Sequence, residues 1–271
     1  MDGVSVGGFA SCLDVPEFKV CVDLGVLLDR VVSRDVILVT HAHADHLGSL
    51  VQHVAQRGLR GLPPATYIVP PDIVGDVEEL LGVWRRLDRG VLRATIRPLA
   101  PGEEFTLRRD LVVRPFATVH RVPSQGYLFE RVRKRLRDEF KGRSRDDIVA
   151  LRNDGVDVEE AVREPVLAVT GDTTIEGVLQ NPEVLAAPRL VVEATFLDDR
   201  VSPEKADRLG HIHLEHIAQA ADRFQCRALL LNHVSPRHSA RQARQLVAER
   251  LPEDLARRTQ VMVAGVRPAH E

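Results

Sequence analysis

The chain contains little cysteine, few aromatic residues, no long apolar run and no large excess of charge. Its three cysteines, Cys12, Cys21 and Cys226, form neither a CxxC motif nor an even-numbered set. We therefore expect free thiols in a reducing compartment rather than a disulfide framework. No apolar run is long enough to span a membrane, and the N-terminus does not resemble a secretory signal. These features predict a soluble, cytoplasmic protein without a membrane partner.

The low aromatic content and the balanced charge restrict how the chain can bind nucleic acid. Aromatic residues make up 4% of the sequence, which disfavours base-stacking platforms. The formal net charge of −2 excludes a globally basic protein but leaves room for a local patch. One such patch is RVRKRLRDEFKGRSR at residues 131–145, with eight basic and two acidic residues. This stretch is either a solvated helix face or a grip on RNA phosphates.

Short β-branched runs alternate with longer segments whose apolar residues recur every three to four positions. Strands are predicted at 18–23, 36–40, 66–69, 92–99, 111–116, 125–129, 166–170, 190–193, 228–232 and 260–263. Helices are predicted at 72–88, 145–153, 212–224 and 239–250. This alternation favours an α/β fold of sheets flanked by helices. We expect a single domain over residues 1–271, with a short basic insertion near 131–165.

The segment HAHADH, residues 41–46, carries three imidazoles and a carboxylate directly after the apolar run 36–40. Neutral imidazole and carboxylate are ligands that Zn²⁺ accepts readily, and three protein ligands with a water form a catalytic zinc site. His41 and His43, alternate residues after a strand, can converge on one ion. Asp45 and His46 point differently and can hold a second. A solvated histidine-rich loop or a structural metal site is the competing interpretation.

Four later segments place a polar residue where an apolar strand ends, and they supply His120, Asp172, Glu193 and His233. The carboxylate of Asp172 follows a glycine, and its two oxygens can bridge two cations. The natural assembly has one metal on His41, His43, His120 and Asp172, and a second on Asp45, His46, Asp172 and His233. Two such ions, about 3.5–4 Å apart, would activate water for attack on a phosphoryl or acyl centre.

The order and spacing of these residues closely resemble the metallo-β-lactamase superfamily, whose signature is HxHxDH followed by a distant His, an Asp and a final His. The resemblance covers nearly the whole chain. It implies a four-layer αββα sandwich, with two β-sheets between layers of helices, and the ligand sets given above. Asp23 occupies the place of an early aspartate in this superfamily, where it either orients a ligand imidazole or stabilises a turn.

Within the superfamily, the chain is most similar to the ribonuclease Z family of tRNA 3′-end endonucleases. The similar pieces are HRVPSQGY at 120–127, TGDT at 170–173, EATF at 193–196, GH at 210–211 and NHVSPR at 232–237. The resemblance implies a phosphodiesterase with two zinc ions, or manganese or iron, which acts on precursor tRNA. It also implies that His211, paired with Glu193, protonates the leaving oxygen. Asp45 would also orient the attacking hydroxide, and many such proteins are homodimers.

Three segments depart from the ribonuclease Z pattern. The triplet HIH at 211–213 replaces the usual His-Ser-Thr, so that His213 is an alternative proton donor. HVSPRH at 233–238 replaces His-Phe-Ser-x-Arg-Tyr, and Arg237 is either a phosphate fork or a structural cation. The segment after His120 lacks the Gly/Pro-rich arm that grips tRNA in these enzymes. The alternative function is therefore hydrolysis of a small phosphodiester, a cyclic nucleotide, an ester or a lactone.

Four further histidines lie outside these motifs, namely His53, His216, His238 and His270. His53 follows the metal loop, and His216 falls within a predicted helix. The other two lie in polar sequence. We expect ordinary structural or solvated roles for all four.

Overall fold

The computed structural model describes residues 1–263, whose strands form two β-sheets. The first sheet has six strands in chain order: β1 (Asp2–Val6), β2 (Ala10–Val15), β3 (Val20–Val22), β4 (Val36–Leu38), β5 (Thr66–Val69) and β6 (Thr95–Pro98). Strands β1 to β3 pair antiparallel, and β3 to β6 pair parallel.

The second sheet has seven strands: β7 (Phe105–Arg108), β8 (Leu111–Ala117), β9 (Gln125–Leu136), β10 (Glu159–Val169), β11 (Arg189–Glu193), β12 (Ala228–Asn232) and β13 (Thr259–Val261). These strands are adjacent in chain order across the sheet. Strands β7 to β10 pair antiparallel, and β10 to β13 pair parallel. The parallel half therefore has all its carboxyl ends at one edge.

The α-helices of residues 1–263 are α1 (Ala44–Leu47), α2 (Leu50–Leu59), α3 (Val74–Asp88), α4 (Arg145–Asn153), α5 (Ile175–Leu179), α6 (Pro182–Leu185), α7 (Pro203–Leu209), α8 (Leu214–Gln219), α9 (Ala240–Arg250) and α10 (Glu253–Arg257). None of these helices combines the length and the apolar character that crossing a membrane requires. Helices α2 and α3 cover the first sheet, and α5, α6, α8, α9 and α10 cover the second.

Strands near the centre of each sheet are buried on both faces, which is why they appear as continuous apolar runs in the sequence. In β4, Leu38 packs between the sheets, whereas Ile37 packs against α2 and α3. In β11, Val191 lies between the sheets and Val192 packs under the helices of the other side. Successive side chains of a strand point to opposite faces, so these strands serve two cores. The resulting order of helices, sheet, sheet and helices confirms the predicted αββα sandwich.

Most predicted elements are present with shifted ends. The helix predicted at 145–153 and the strand at 228–232 have the predicted bounds. The helix predicted at 212–224 is shorter, because α8 ends at Gln219 and a 3₁₀ turn follows. Strands β1, β2 and β7, the ten-residue helix α2 and the shorter helices α1, α5, α6, α7 and α10 were not predicted. Elements of three to seven residues carry too little periodicity to be distinguished from loops.

The basic stretch 131–145 begins as a strand, so the alternative of a solvated helix face is wrong for its first half. Strand β9 continues to Leu136 and pairs with β10 as far as Glu159, and α4 lies at the tip of this hairpin. No residue of α4 is buried. We call residues 131–164 the arm. The strand predicted at 125–129 was too short because the charged continuation of β9 lacks the apolar alternation of a half-buried strand.

Acidic residues of the arm pair with six of its ten basic residues. The cross-strand ion pairs are Arg133 with Glu164 (3.3 Å), Lys134 with Glu159 (3.7 Å) and Arg135 with Glu160 (2.8 Å). Further out, Arg137 pairs with Asp157 at 3.5 Å and Lys141 with Asp138 at 2.6 Å. The arm is therefore rich in both signs of charge rather than a free basic strip.

Candidate metal centre

Loops from both sheets meet at one edge of the sandwich. The HAHADH loop follows β4 of the first sheet. In the second sheet, Asp172 follows β10, Glu193 ends β11 and His233 follows β12. These three strands are parallel, so their carboxyl ends lie side by side. The topology thus brings together residues that are nearly 200 positions apart in the chain. Their positions at strand ends predicted this convergence.

The first group of ligand atoms belongs to His41, His43, His120 and Asp172, all within 4.8 Å of one another. His43 Nδ1 lies 3.0 Å from His41 Nε2 and 3.3 Å from His120 Nε2. His41 Nε2 lies 3.7 Å from Asp172 Oδ2. Burial lowers the pKa of His41 to about 2 and also lowers the pKa of His43 and of His120. These imidazoles are therefore neutral, which is the form that binds a metal.

The second group contains Asp45, His46 and His233. His233 Nε2 lies 3.2 Å from Asp45 Oδ2 and 3.4 Å from Asp172 Oδ2. His46 Nε2 lies 3.7 Å from Asp45 Oδ2 and 3.3 Å from Asp172 Oδ1. The carboxylate of Asp172 thus lies between the two groups, where it is placed to bridge two cations.

Two buried atoms of the centre show that the donor set fits a metal. His46 Nε2 and Asp172 Oδ1 are fully enclosed, and neither has a hydrogen-bond partner among residues 1–263. A buried polar atom without a partner costs about 1–3 kcal/mol. Five imidazoles and two carboxylates converge here, and divalent cations satisfy both the unpaired lone pairs and the clustered negative charge. The residues present therefore fit one or two divalent ions.

Four of the ligand histidines are held through Nδ1, which leaves Nε2 directed at the centre. The Nδ1 partners are Thr40 Oγ1 for His41 (3.0 Å), Asp23 Oδ2 for His46 (2.7 Å), Gly210 O for His120 (2.8 Å) and Thr195 Oγ1 for His233 (2.9 Å). A carbonyl or carboxylate acceptor requires the proton on Nδ1, so the Nε2 lone pair is free for a metal. Asp23 is itself fixed, because it accepts from the Thr40 N–H at 2.8 Å. It therefore orients the imidazole of His46.

His211 and Glu193 form a hydrogen-bonded pair beside the candidate metal ligands. His211 Nδ1 lies 2.8 Å from Glu193 Oε1 and 3.9 Å from Asp172 Oδ2. Burial lowers the pKa of His211, but Glu193 and Asp172 raise it by more, so that its pKa lies above the ordinary value. Glu193 is completely buried. The raised pKa favours the protonated form of His211 beside the candidate metal ligands.

Thr195 connects this pair to the metal ligands, a role that sequence reasoning missed. Its hydroxyl lies 2.7 Å from Glu193 Oε2 and 2.9 Å from His233 Nδ1. Because the carboxylate only accepts, the hydroxyl donates to Glu193 and accepts from His233 Nδ1–H. The motif EATF contained Thr195, yet no spacing rule distinguishes a bridging threonine from an ordinary strand residue.

His213 is not placed to donate a proton at the centre. It is buried as the N-cap of α8, where its Nδ1 accepts from Glu215 N–H at 3.1 Å and its Nε2 lies 3.1 Å from Asp198 O. Both ring nitrogens are therefore occupied. Arg237 is exposed, donates to Ser235 Oγ at 3.1 Å and lies 5.9 Å above the Phe196 ring.

The other histidines have structural environments. His53 is buried, and its Nδ1 lies 2.6 Å from the Tyr67 hydroxyl. His216 lies in α8, 3.5 Å from Asp207, and His238 is buried within 4.0 Å of Asp198. His270 lies outside the described residues.

Comparison with known proteins identifies the family to which this chain belongs. A β-lactamase superfamily domain matches residues 22–234. The chain is 38% identical to tRNase Z TRZ1 of Arabidopsis thaliana over 267 residues. This alignment covers 98% of this chain and 95% of that protein. The chain is also 41% identical to the chloroplastic tRNase Z TRZ2 of the same plant over 249 residues. That alignment covers 91% of this chain and 70% of that protein. The chain belongs to the tRNase Z family of the β-lactamase superfamily.

A solved structure of human tRNase Z, short form, has the same fold, with a TM-score of 0.61 and 19% identity over 87% of this chain and 92% of that chain. Membership in the tRNase Z family makes the chain a metal-dependent hydrolase. The superfamily, the ribonuclease Z resemblance and the divalent metal expected from the sequence are thereby confirmed.

Proposed function

We propose that the chain is a two-zinc endoribonuclease that removes the 3′ extension of precursor tRNA. The observation that carries the proposal is the position of His211 Nδ1, 3.9 Å from the Asp172 carboxylate that lies between the two ligand groups. A histidine that can donate a proton therefore lies beside a carboxylate that can bind metal, an arrangement that suits phosphodiester cleavage. The two plant relatives named tRNase Z support tRNA as the substrate.

In this proposal His41, His43, His120 and Asp172 would hold one ion, and Asp45, His46, Asp172 and His233 would hold a second. Two bound divalent ions would supply positive charge at the phosphoryl group and help to activate water. Asp45 also orients the attacking water, because its side chain is the most exposed of the carboxylates in the centre, at 13%.

The departing oxygen receives its proton from His211. Glu193 Oε1 accepts from His211 Nδ1–H, so Nε2 is the nitrogen that faces the substrate. Glu193 is itself fixed by Thr173 N–H at 3.1 Å and Thr195 N–H at 3.1 Å. This buried carboxylate, held by two backbone donors, stabilises the imidazolium that donates the proton.

Cleavage of an unprocessed tRNA by the pure protein tests the proposal. The protein is stripped with a chelator and reloaded separately with zinc, manganese or iron, and bound metal is counted per chain. We expect two zinc ions per chain and a cut at the base of the 3′ extension. No cut with any of the three metals would reject tRNA processing.

The internal ion pairs of the arm favour one alternative, a small phosphodiester substrate. Basic residues that are already paired, such as Arg135 with Glu160, gain less from RNA phosphates than free ones. Turnover of bis-p-nitrophenyl phosphate or a cyclic nucleotide, without cleavage of precursor tRNA, would support this alternative.

We also propose a homodimer that forms through the outer face of α3. Leu80, Trp84 and Leu87 are 39%, 44% and 68% exposed, although α3 already buries Val77 and Leu81 against the first sheet. A helix that is apolar on both faces fits burial against a second copy. Light scattering of Leu87→Asp checks this: we expect a monomer where the unmodified protein is a dimer.

Two further expectations complete the proposal. Residues 1–271 form one domain, so thermal unfolding is expected to show one cooperative transition. The enzyme works in a reducing compartment such as the cytoplasm, which is supported by three free, buried cysteines. Cys12 Sγ and Cys21 Sγ are 3.5 Å apart and share a hydrogen bond rather than a disulfide.

A further inference from the structure

A cation without a partner lies beside the metal ligands. Arg121 follows His120 directly, is exposed, and takes part in none of the ion pairs or hydrogen bonds found among residues 1–263. Arg133, Arg135 and Arg137 of the arm, in contrast, are each paired with a carboxylate. A free guanidinium next to a metal centre is available for a substrate anion.

Gly210 fixes the position of the aliphatic stem of Arg121. A Cβ built on Gly210 would lie 3.4 Å from Arg121 Cγ, so the aliphatic stem of the arginine packs against the glycine. The carbonyl of Gly210 accepts from His120 Nδ1 at 2.8 Å, and the next residue is His211. Arg121 is thus anchored between a metal ligand and the proton donor.

A cavity of about 430 Å³ opens at this position, and a metal ligand forms part of its wall. Its polar wall includes His120, Arg121, Asp72, Gln125 and the hydroxyls of Thr118 and Ser124, which lie 2.7 Å apart. Prolines 70, 71, 101 and 123 form most of the rest and stiffen it. Its volume falls within the range of about 300–1,000 Å³ that is typical of small-molecule sites. A single nucleotide fits this size and this mixture of surfaces.

We propose that Arg121 and this cavity bind the nucleotide next to the scissile bond, with the guanidinium on that nucleotide's phosphate. The inference rests on the proposed RNA substrate. RNA has a further phosphate one nucleotide away from the cut, whereas a small diester has only the phosphate that is cleaved. Arg121 therefore favours RNA over small phosphodiesters at a shared metal centre.

The test measures binding as well as turnover. The metal-loaded protein binds a 3′-extended tRNA with a methylphosphonate at the scissile position, and fluorescence anisotropy gives Kd at several salt concentrations. For Arg121→Ala we expect Kd to rise about tenfold, as for loss of one charged hydrogen bond. The slope of log Kd against log salt should fall by about 0.7–0.9, the value for one phosphate contact. Arg121→Lys should retain the slope.

Arg227→Ala is the matched control. Arg227 is exposed and directly precedes β12, whereas His233 follows the carboxyl end of the same strand. It therefore lies at the opposite edge of the sheet, and its loss should change neither Kd nor the slope. The ratio of kcat/KM for precursor tRNA to that for bis-p-nitrophenyl phosphate should fall about tenfold in Arg121→Ala only.

Two results would overturn the inference. Unchanged Kd and salt slope in Arg121→Ala would show that no phosphate is held there. An equal fall in kcat/KM for both substrates would show that Arg121 acts on the chemistry rather than on a neighbouring nucleotide. If the unmodified protein neither binds nor cuts precursor tRNA, the proposed function itself fails, and that result is distinct from both.

Discussion

The metal centre and the arm use charge in opposite ways. In the centre, carboxylates and imidazoles are buried and crowded, and His46 Nε2 and Asp172 Oδ1 lack partners within the described chain. In the arm, exposed charges of both signs pair with each other across a hairpin. Buried polar atoms without hydrogen-bond partners indicate a bound ligand, whereas exposed charges that already pair with each other do not. The difference places the chemistry in the centre and leaves recognition to cations without a carboxylate partner among residues 1–263, such as Arg121.

The largest effect is expected from Asp172, because its carboxylate serves both ligand groups. Asp172→Asn keeps the side-chain volume but removes the negative charge. We expect bound metal to fall from two ions per chain to one or none, and kcat for tRNA cleavage to fall at least about a thousandfold. Metal analysis and single-turnover kinetics check this. Asp146→Asn, at an exposed carboxylate of α4, is the control, and two ions retained in Asp172→Asn would contradict the bridging role.

Substitution of His211 should have the second-largest effect on kcat. His211→Ala is expected to lower kcat for RNA by about 10²–10⁴, the usual contribution of a general acid. Bis-p-nitrophenyl phosphate should lose much less, because its phenolate leaves without a proton. His213→Ala is the matched control: it should retain kcat on RNA and lower the free energy of unfolding by about 1 kcal/mol, as for a lost helix cap. The reverse ranking of the two histidines would identify His213 as the donor.

Thr195 should have an intermediate effect, since it acts through its neighbours. Thr195→Val removes the hydroxyl that joins Glu193 to His233 while it keeps the shape. We expect zinc affinity or kcat to fall about 10–100-fold, as for other residues that orient a metal ligand. Thr195→Ser should restore most of both. Zinc titration together with kcat checks this, and a Thr195→Val protein as active as Thr195→Ser would show that the hydroxyl has no orienting role.

The smallest effect is expected in the arm. The double variant Arg135→Ala and Glu160→Ala removes a neutral, exposed pair. RNA affinity and its salt slope should stay within about twofold, because paired surface charges contribute little. A fall comparable to that of Arg121→Ala would break the contrast between the two regions and make the arm a phosphate grip.

The sequence allowed the centre to be predicted much more fully than the arm. HAHADH and the later polar residues stand at the ends of strongly apolar strands, and the parallel topology brings such ends together. The arm offered no such signal, because β9 loses its apolar alternation after Glu130 and its charges match both helix and strand patterns. Thr195 escaped prediction for a different reason: a single hydroxyl bridge depends on distances that only tertiary structure fixes.

The central claim is that the Asp172 centre and His211 together cleave precursor tRNA by attack of water. Analysis of the ends of both RNA products tests it most directly. If His211 protonates the departing ribose oxygen, the tRNA must end in a 3′-hydroxyl and the released extension must begin with a 5′-phosphate. A 2′,3′-cyclic phosphate on the tRNA, or an intact precursor with metal bound, would contradict the account.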